Sequence, residues 1–156
     1  MQKTNIKSVA ILGAGNMGAQ LAAQVVNAGL KCILFDLKSD VSSHPNASII
    51  KAVENLTKLQ PPALASKTLA EFIIPANLTD NLDLLLGVDL IIEAVSEDYN
   101  IKQSLYKKIA PYLDTNVILA TNSSGLSVNK LVSVLPKKLK ANFIGMHFFN
   151  PPRYLP

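Results

Sequence analysis

Two hydrophobic rhythms alternate along this chain. Short runs of consecutive apolar residues are separated by longer stretches in which apolar positions recur every three or four residues. Ser8–Leu12 (SVAIL), Lys31–Phe35 (KCILF), Asp89–Val95 (DLIIEAV), Asn116–Thr121 (NVILAT) and Asn142–His147 are runs of the first kind. Their length and continuous apolarity predict strands buried on both faces. A weaker strand is expected near Asn77–Thr79. The second rhythm predicts helices over Asn16–Ala28, residues 47–59, Asn100–Tyr112 and Ser127–Leu135. Gly29 stands where a helix C-cap belongs, Gln60-Pro61-Pro62 breaks the second helix, and Ser66 or Thr68 offers a cap for another short one. No internal repeat or low-complexity segment appears. Buried strands alternating with helices predict an α/β, doubly wound, mostly parallel sheet.

The first strand runs into Gly13-Ala-Gly15-Asn16-Met17-Gly18, a G-x-G-x-x-G pattern opening the first helix. Alone the pattern is weak, and a glycine turn serving packing only is its bland reading. Its position after a strand and before a helix strengthens it. Gly13 permits the tight turn, Gly15 lets a pyrophosphate approach the backbone, and Gly18 lets helix and strand pack closely. The helix N-terminus then meets the phosphates with N–H groups and the positive end of its dipole. Asp36 closes the second strand, 18 residues beyond Gly18, near the spacing of the acid that binds adenosine ribose hydroxyls. A carboxylate there repels a 2′-phosphate, which favours NAD over NADP. Lys38 is the nearby cation that would argue otherwise. A Rossmann-like dinucleotide fold is therefore expected.

Composition sharpens this picture. The 156 residues suffice for one domain with a real core, and with 49% apolar residues and a mean hydropathy of +0.26 the chain is not of a disordered type. No apolar run reaches membrane-spanning length. The N-terminal apolar stretch leads into the glycine turn without a small-residue cleavage site, and reads as a strand rather than a signal peptide. Cys32 is the sole cysteine and lies in an apolar run, so a buried thiol in a cytoplasmic, reducing setting is expected. The net charge of +4 is uneven: every charge after Asp114 is basic, namely Lys130, Lys137, Lys138, Lys140 and Arg153. A solvated face is the simpler explanation, and attraction of a polyanionic ligand the sharper one. Without aromatic interleaving or a binding motif, nucleic acid is not expected as a partner. Nor is a metal.

Four segments then carry a family resemblance. GAGNMG, DLIIEAVSED, TNSSGLSV and the closing GMHFFNPP occur in the order seen in 3-hydroxyacyl-CoA dehydrogenases, which the chain resembles over nearly its whole length. HFFNP is the most specific of these elements. Asn46–Phe72 looks like the helix–turn–helix that this family inserts after the second strand, and the NPPRYLP ending is similar to members that sometimes carry a hydratase-like domain downstream. The resemblance implies NAD-dependent oxidation of the 3-hydroxyl of a fatty acyl-CoA, with His147 as base and Ser124 hydrogen-bonded to the 3-oxygen. It implies that Asn122 borders the nicotinamide, that Ala94 and Val95 offer backbone contacts to the cofactor, and that Glu97 and Lys102 are polar positions near the nicotinamide and acyl-CoA. Asn150 is expected toward the nicotinamide and substrate side. Ser123 departs from the threonine of many members, and Gly125 from the serine of some.

The chemistry of the residues agrees. Ligands of doubly wound sheets bind beyond the C-terminal strand ends. Glu97, Ser124 and His147 each follow a different strand, so one crevice gathers them. Histidine suits proton removal near neutral pH, with an unperturbed pKa of ~6.5. Without the flanking motif, a histidine beside two phenylalanines reads as a packed residue, as His44 does in its polar loop. Phe148 and Phe149 are expected as core and wall. In the resembling family a glutamate orients the histidine shortly after HFFNP, and a helical domain completes the acyl-CoA cleft and the homodimer interface. Both fall beyond Pro156, so residues 1–156 are expected to bind NAD and to turn over poorly. A non-catalytic NAD-binding module and a crystallin-like structural protein are the alternatives; Asp36, Ser124 and His147 together weigh against the latter.

Overall fold

A computed structural model describes residues 5–40 and 44–155. Residues 1–4, at the start of the segment weighed against a signal peptide, lie outside it. Six strands form one sheet: β1 (Ser8–Leu12), β2 (Lys31–Asp36), β3 (Ile73–Asn77), β4 (Leu90–Glu93), β5 (Ile118–Thr121) and β6 (Phe143–Gly145). All neighbours pair in parallel, in the order β3-β2-β1-β4-β5-β6. The chain leaves β1 toward β2 on one side and later enters β4 on the other. That reversal of strand order opens a crevice at the C-terminal ends of β1 and β4.

The inner strands are largely apolar because both faces are covered. On β1, Val9 and Ile11 pack with α1 (Asn16–Asn27) and α2 (Ala47–Leu56), through Leu21, Val25, Ile49 and Leu56. Ala10 and Leu12 point the other way, toward Leu105, Tyr106 and Ile109 of α3 (Tyr99–Ile109). Leu131 of α4 (Val128–Ser133) and Leu139 of α5 (Lys137–Lys140) extend this second layer. Among the described residues, no helix is long and apolar enough to cross a membrane.

Two local expectations change. The third strand lies at Ile73–Asn77, upstream of the expected Asn77–Thr79. Pro75 masked it, yet an edge strand tolerates a proline. Asn77 instead ends the strand in a turn: its Oδ1 accepts from the N–H groups of Thr79 (2.9 Å) and Asp80 (2.8 Å). The expected helix–turn–helix insertion contains one α-helix followed by a 3-10 helix at Lys67–Phe72. Ser66 makes no side-chain cap; its hydroxyl pairs with that of Thr68 at 2.8 Å. Pro136 likewise divides the last helical stretch, leaving α5 as a separate turn.

Candidate functional site: a dinucleotide cleft and three strand ends

The glycine turn is built as its pattern requires. Gly13 has φ +110°, and a Cβ there would come within 2.7 Å of the Ala94 carbonyl oxygen. A Cβ on Gly18 would overlap the carbonyl oxygen of Gly13. Gly18 thus lets α1 pack on the turn itself. Gly15 differs, because a Cβ there would meet nothing within 4 Å. The space above it is open, as a ligand approaching the backbone needs. Gly15 is also the N-cap of α1, which has neither a side-chain cap nor an acid in its first turn. This end of the helix suits an anion.

Beside the turn lies a cleft of about 660 Å³, lined by Gly13, Gly15, Asp36, Leu37, Leu78 and Ala94–Ser96 and by one face of α3. Asp36 reaches into it from the end of β2. Its carboxylate accepts from the N–H groups of Ala14 (2.6 Å) and Leu37 (2.7 Å). A carboxylate has about four lone-pair sites, so acceptors remain for a diol. Lys38 turns away to pair with Asp80 at 3.0 Å. The α3 face was missed in the sequence, although Ile101, Ser104, Leu105 and Lys108 recur at helical spacing. Met17 packs partly buried among the core residues behind the turn. Asn16 and Asn150 are joined through Gln20, whose Nε2 donates to Asn16 Oδ1 (2.9 Å) and to Asn150 Oδ1 (3.1 Å).

The ends of β4, β5 and β6 are tied together next to this cleft. The N–H of Asn122 donates to the Glu93 carbonyl (2.8 Å), and Asn122 Oδ1 accepts from the N–H of Phe148 (2.8 Å). His147 is exposed, with Nδ1 3.4 Å from the Asn122 carbonyl oxygen and its ring edge-on to Phe149 at 5.3 Å. Phe148 packs against the core, but Phe149, expected as core or wall, is 57% exposed. Glu97 folds over the Ser123–Leu126 loop. Its Oε1 accepts from the Ser123 hydroxyl (2.5 Å) and from the N–H groups of Ser124 (3.0 Å), Gly125 (2.7 Å) and Leu126 (3.2 Å). Partial burial alone would raise its pKa; the Ser123 and backbone hydrogen bonds and the Lys102 charge outweigh this and bring it to about 2.

Lys102, expected near the nicotinamide and acyl-CoA, lies inside the fold, between Glu93 and Glu97. Its side chain is 1% exposed, with Nζ 2.6 Å from Glu93 Oε1 and 3.5 Å from Glu97 Oε2. The helical register of α3 turns it inward, toward Glu93, a buried acid at the end of β4. The Glu93 carboxylate also accepts from Tyr106 Oη (2.8 Å), Thr121 Oγ1 (2.8 Å) and the Val95 N–H (2.9 Å). The alternative signal was a charged residue inside the apolar run LIIEAV. Cys32, as expected, is buried, and burial pushes its thiol up to about 12.

Residues 8–156 match the family described as 3-hydroxyacyl-CoA dehydrogenase, NAD binding domain. A Rickettsia felis relative, named for a fatty acid oxidation complex trifunctional enzyme, is 40% identical over 98% of this chain and 21% of its own length. A Deinococcus radiodurans relative, named for 3-hydroxyacyl-CoA dehydrogenase, is 36% identical over 96% of this chain and 43% of its own. The crystal structure of (S)-3-hydroxybutyryl-CoA dehydrogenase from Ralstonia eutropha superposes with a TM-score of 0.73 at 33% identity, covering 95% of this chain and 51% of that one. The chain thus spans about half or less of these relatives. Glycine turn, acid and strand ends all fall within the matched region, and the chain belongs to the 3-hydroxyacyl-CoA dehydrogenase family as an NAD-binding domain.

Proposed function

We propose that this chain is the cofactor-binding half of an enzyme that oxidises the 3-hydroxyl of a 3-hydroxyacyl-CoA to a ketone, in fatty acid β-oxidation or related acyl-CoA metabolism. The observation that carries the proposal is the joining of the Asn122, Ser124 and His147 segments at adjacent strand ends beside the glycine-turn cleft. Gly13, Gly15 and Gly18, with Asn16 and Met17 in the same turn, receive the pyrophosphate, and Asp36 binds the adenosine ribose. Ala94 and Val95 form the cleft floor. Asn122 and Glu97 hold the nicotinamide end in shape, and Asn150 braces it from the far side.

When bound, NAD accepts a hydride from C3 of the substrate. The protein's own part is proton management. His147, exposed at the end of β6, takes the hydroxyl proton, while the Ser124 hydroxyl hydrogen-bonds the same oxygen and fixes its direction. Loss of a proton and a hydride from one carbinol leaves the ketone. Asn122 ties His147 to β5 and so sets its approach. The acyl-CoA partner, a homodimer formed by residues outside this chain, and a cytoplasmic setting belong to the same reading. The test is acetoacetyl-CoA-dependent oxidation of NADH by the full product of the encoding gene. His147→Ala should lower turnover by roughly 10²–10⁴-fold while NADH affinity hardly changes. Ser124→Ala should cost less, since one hydrogen bond is lost and the base remains. Near-normal turnover of the His147 variant would make that histidine a packed residue and defeat the mechanism.

A further inference from the structure

Lys38 follows Asp36 by two residues, where the chain leaves β2 beside the cleft. A lysine so placed could serve a 2′-phosphate, because an ammonium is a point charge that needs only nearness to attract a dianion. Asp36 is not its partner. Both oxygens of that carboxylate accept from backbone N–H groups, those of Ala14 and Leu37. The ammonium reaches instead to Asp80, 42 residues further on, at 3.0 Å from Oδ2 and 3.3 Å from Oδ1.

A buried residue delivers Asp80 to that place. Asn77 stands in register with Asp36 across β2 and β3 and is 1% exposed. Its Oδ1 accepts from the Asp80 N–H at 2.8 Å, and its Nδ2 donates to Asp80 Oδ2 at 3.3 Å. The carboxylate is thus anchored from the inside, and its outer side takes Lys38. The turn does not need the ion pair to close. Asn77 already receives the N–H groups of Thr79 and Asp80 on its side chain and that of Asn81 on its carbonyl. Nor does the segment after β2 need it, since the Ser39 N–H donates to the Pro45 carbonyl. With its partners 43% and 41% exposed, the pair adds little stability. What it does fix is where the ammonium lies. We propose that Asp80 is a specificity-determining residue: anchored on Asn77, it draws Lys38 away from the adenosine ribose and so withholds from a 2′-phosphate the cation that would receive it. Asp36 repels that phosphate, and Asp80 denies it a partner. This inference rests on Asp36 receiving the ribose, as proposed above.

The test is a double-substitution cycle on residues 1–156, titrated with NADH and with NADPH and read as the ratio of the two affinities. Asp80→Asn removes the charge and keeps the shape of the turn. It should narrow the preference for NADH by at least about threefold, the scale of an exposed ion pair, and the gain in NADPH binding should shrink as salt rises from about 0.05 to 0.5 M. In a Lys38→Ala background, Asp80→Asn should leave the ratio unchanged. Lys38→Ala alone should also leave it within about twofold, because the lysine is already withheld in the parent. A ratio indifferent to Asp80→Asn would overturn the proposal. So would a gain that persists without Lys38, which would assign it to another cation such as Lys108 on the cleft wall. Should Asp80→Asn fail to fold, Lys38→Ala decides alone: a marked loss of NADPH binding would show that the lysine already reads the phosphate. Absence of saturable NADH binding in the parent would defeat the dinucleotide reading and this proposal with it, whereas saturable binding with a ratio blind to Asp80 would defeat this proposal alone.

Discussion

At the scale of single residues, the glycines of the phosphate turn separate folding from binding. A methyl group on Gly18 would overlap the Gly13 carbonyl, which is backbone and has little room to yield. Gly18→Ala should therefore destabilise the domain by about 1–3 kcal/mol or more. A methyl on Gly15 meets nothing, and its φ of −65° suits any residue. Gly15→Ala should leave thermal stability unchanged or slightly raised, yet weaken NADH by about an order of magnitude, because the methyl would fill the open space proposed for the pyrophosphate. Thermal melts and NADH titrations of the two variants should give opposite patterns. Two variants losing stability equally would mean that the turn serves packing alone.

At the scale of elements, α3 connects fold to site. It lines the cleft with Ile101, Ser104 and Lys108 and carries Lys102 on its buried side. Asp98 caps it, accepting from the N–H groups of Asn100 (2.8 Å) and Ile101 (3.0 Å). Asp98→Ala should cost about 1 kcal/mol, a fall in melting temperature of roughly 2–4 °C for a domain of this size. An unchanged melt would show that α3 is held by packing alone. The strands and helices were legible because burial on both faces writes continuous apolar runs, and a single buried face writes a helical period. β3 was not, because an edge strand with Pro75 and a polar end looks like a loop. The glycine turn, Asp36 and the His147 segment could be read because each is local in sequence. The Glu93–Lys102–Glu97 chain could not, because it depends on which way α3 is rotated against β4. That orientation is settled by packing rather than by any motif.

At the scale of the whole molecule, the sheet order brings the ends of β1, β2 and β4 around one cleft and sets the ends of β5 and β6 beside it. In the basic C-terminal third, Lys130 sits 4.3 Å above the ring of Tyr99, and Lys140 donates to the Ser133 carbonyl. Arg153 donates to the carbonyls of Pro62 (3.1 Å) and Leu64 (2.6 Å), fastening the segment after His147 to the insertion. On the proposed reading, what unites these parts is a cleft for a dinucleotide without a 2′-phosphate, with Asp36 lining it as the group that would read the ribose. Titration of residues 1–156 with NADH and with NADPH, followed by nicotinamide fluorescence, tests this most directly. NADH should bind saturably and NADPH at least about tenfold more weakly, and Asp36→Ala should weaken NADH by roughly 1–3 kcal/mol. NADPH binding as tightly as NADH, or no saturable NADH signal at all, would contradict the account.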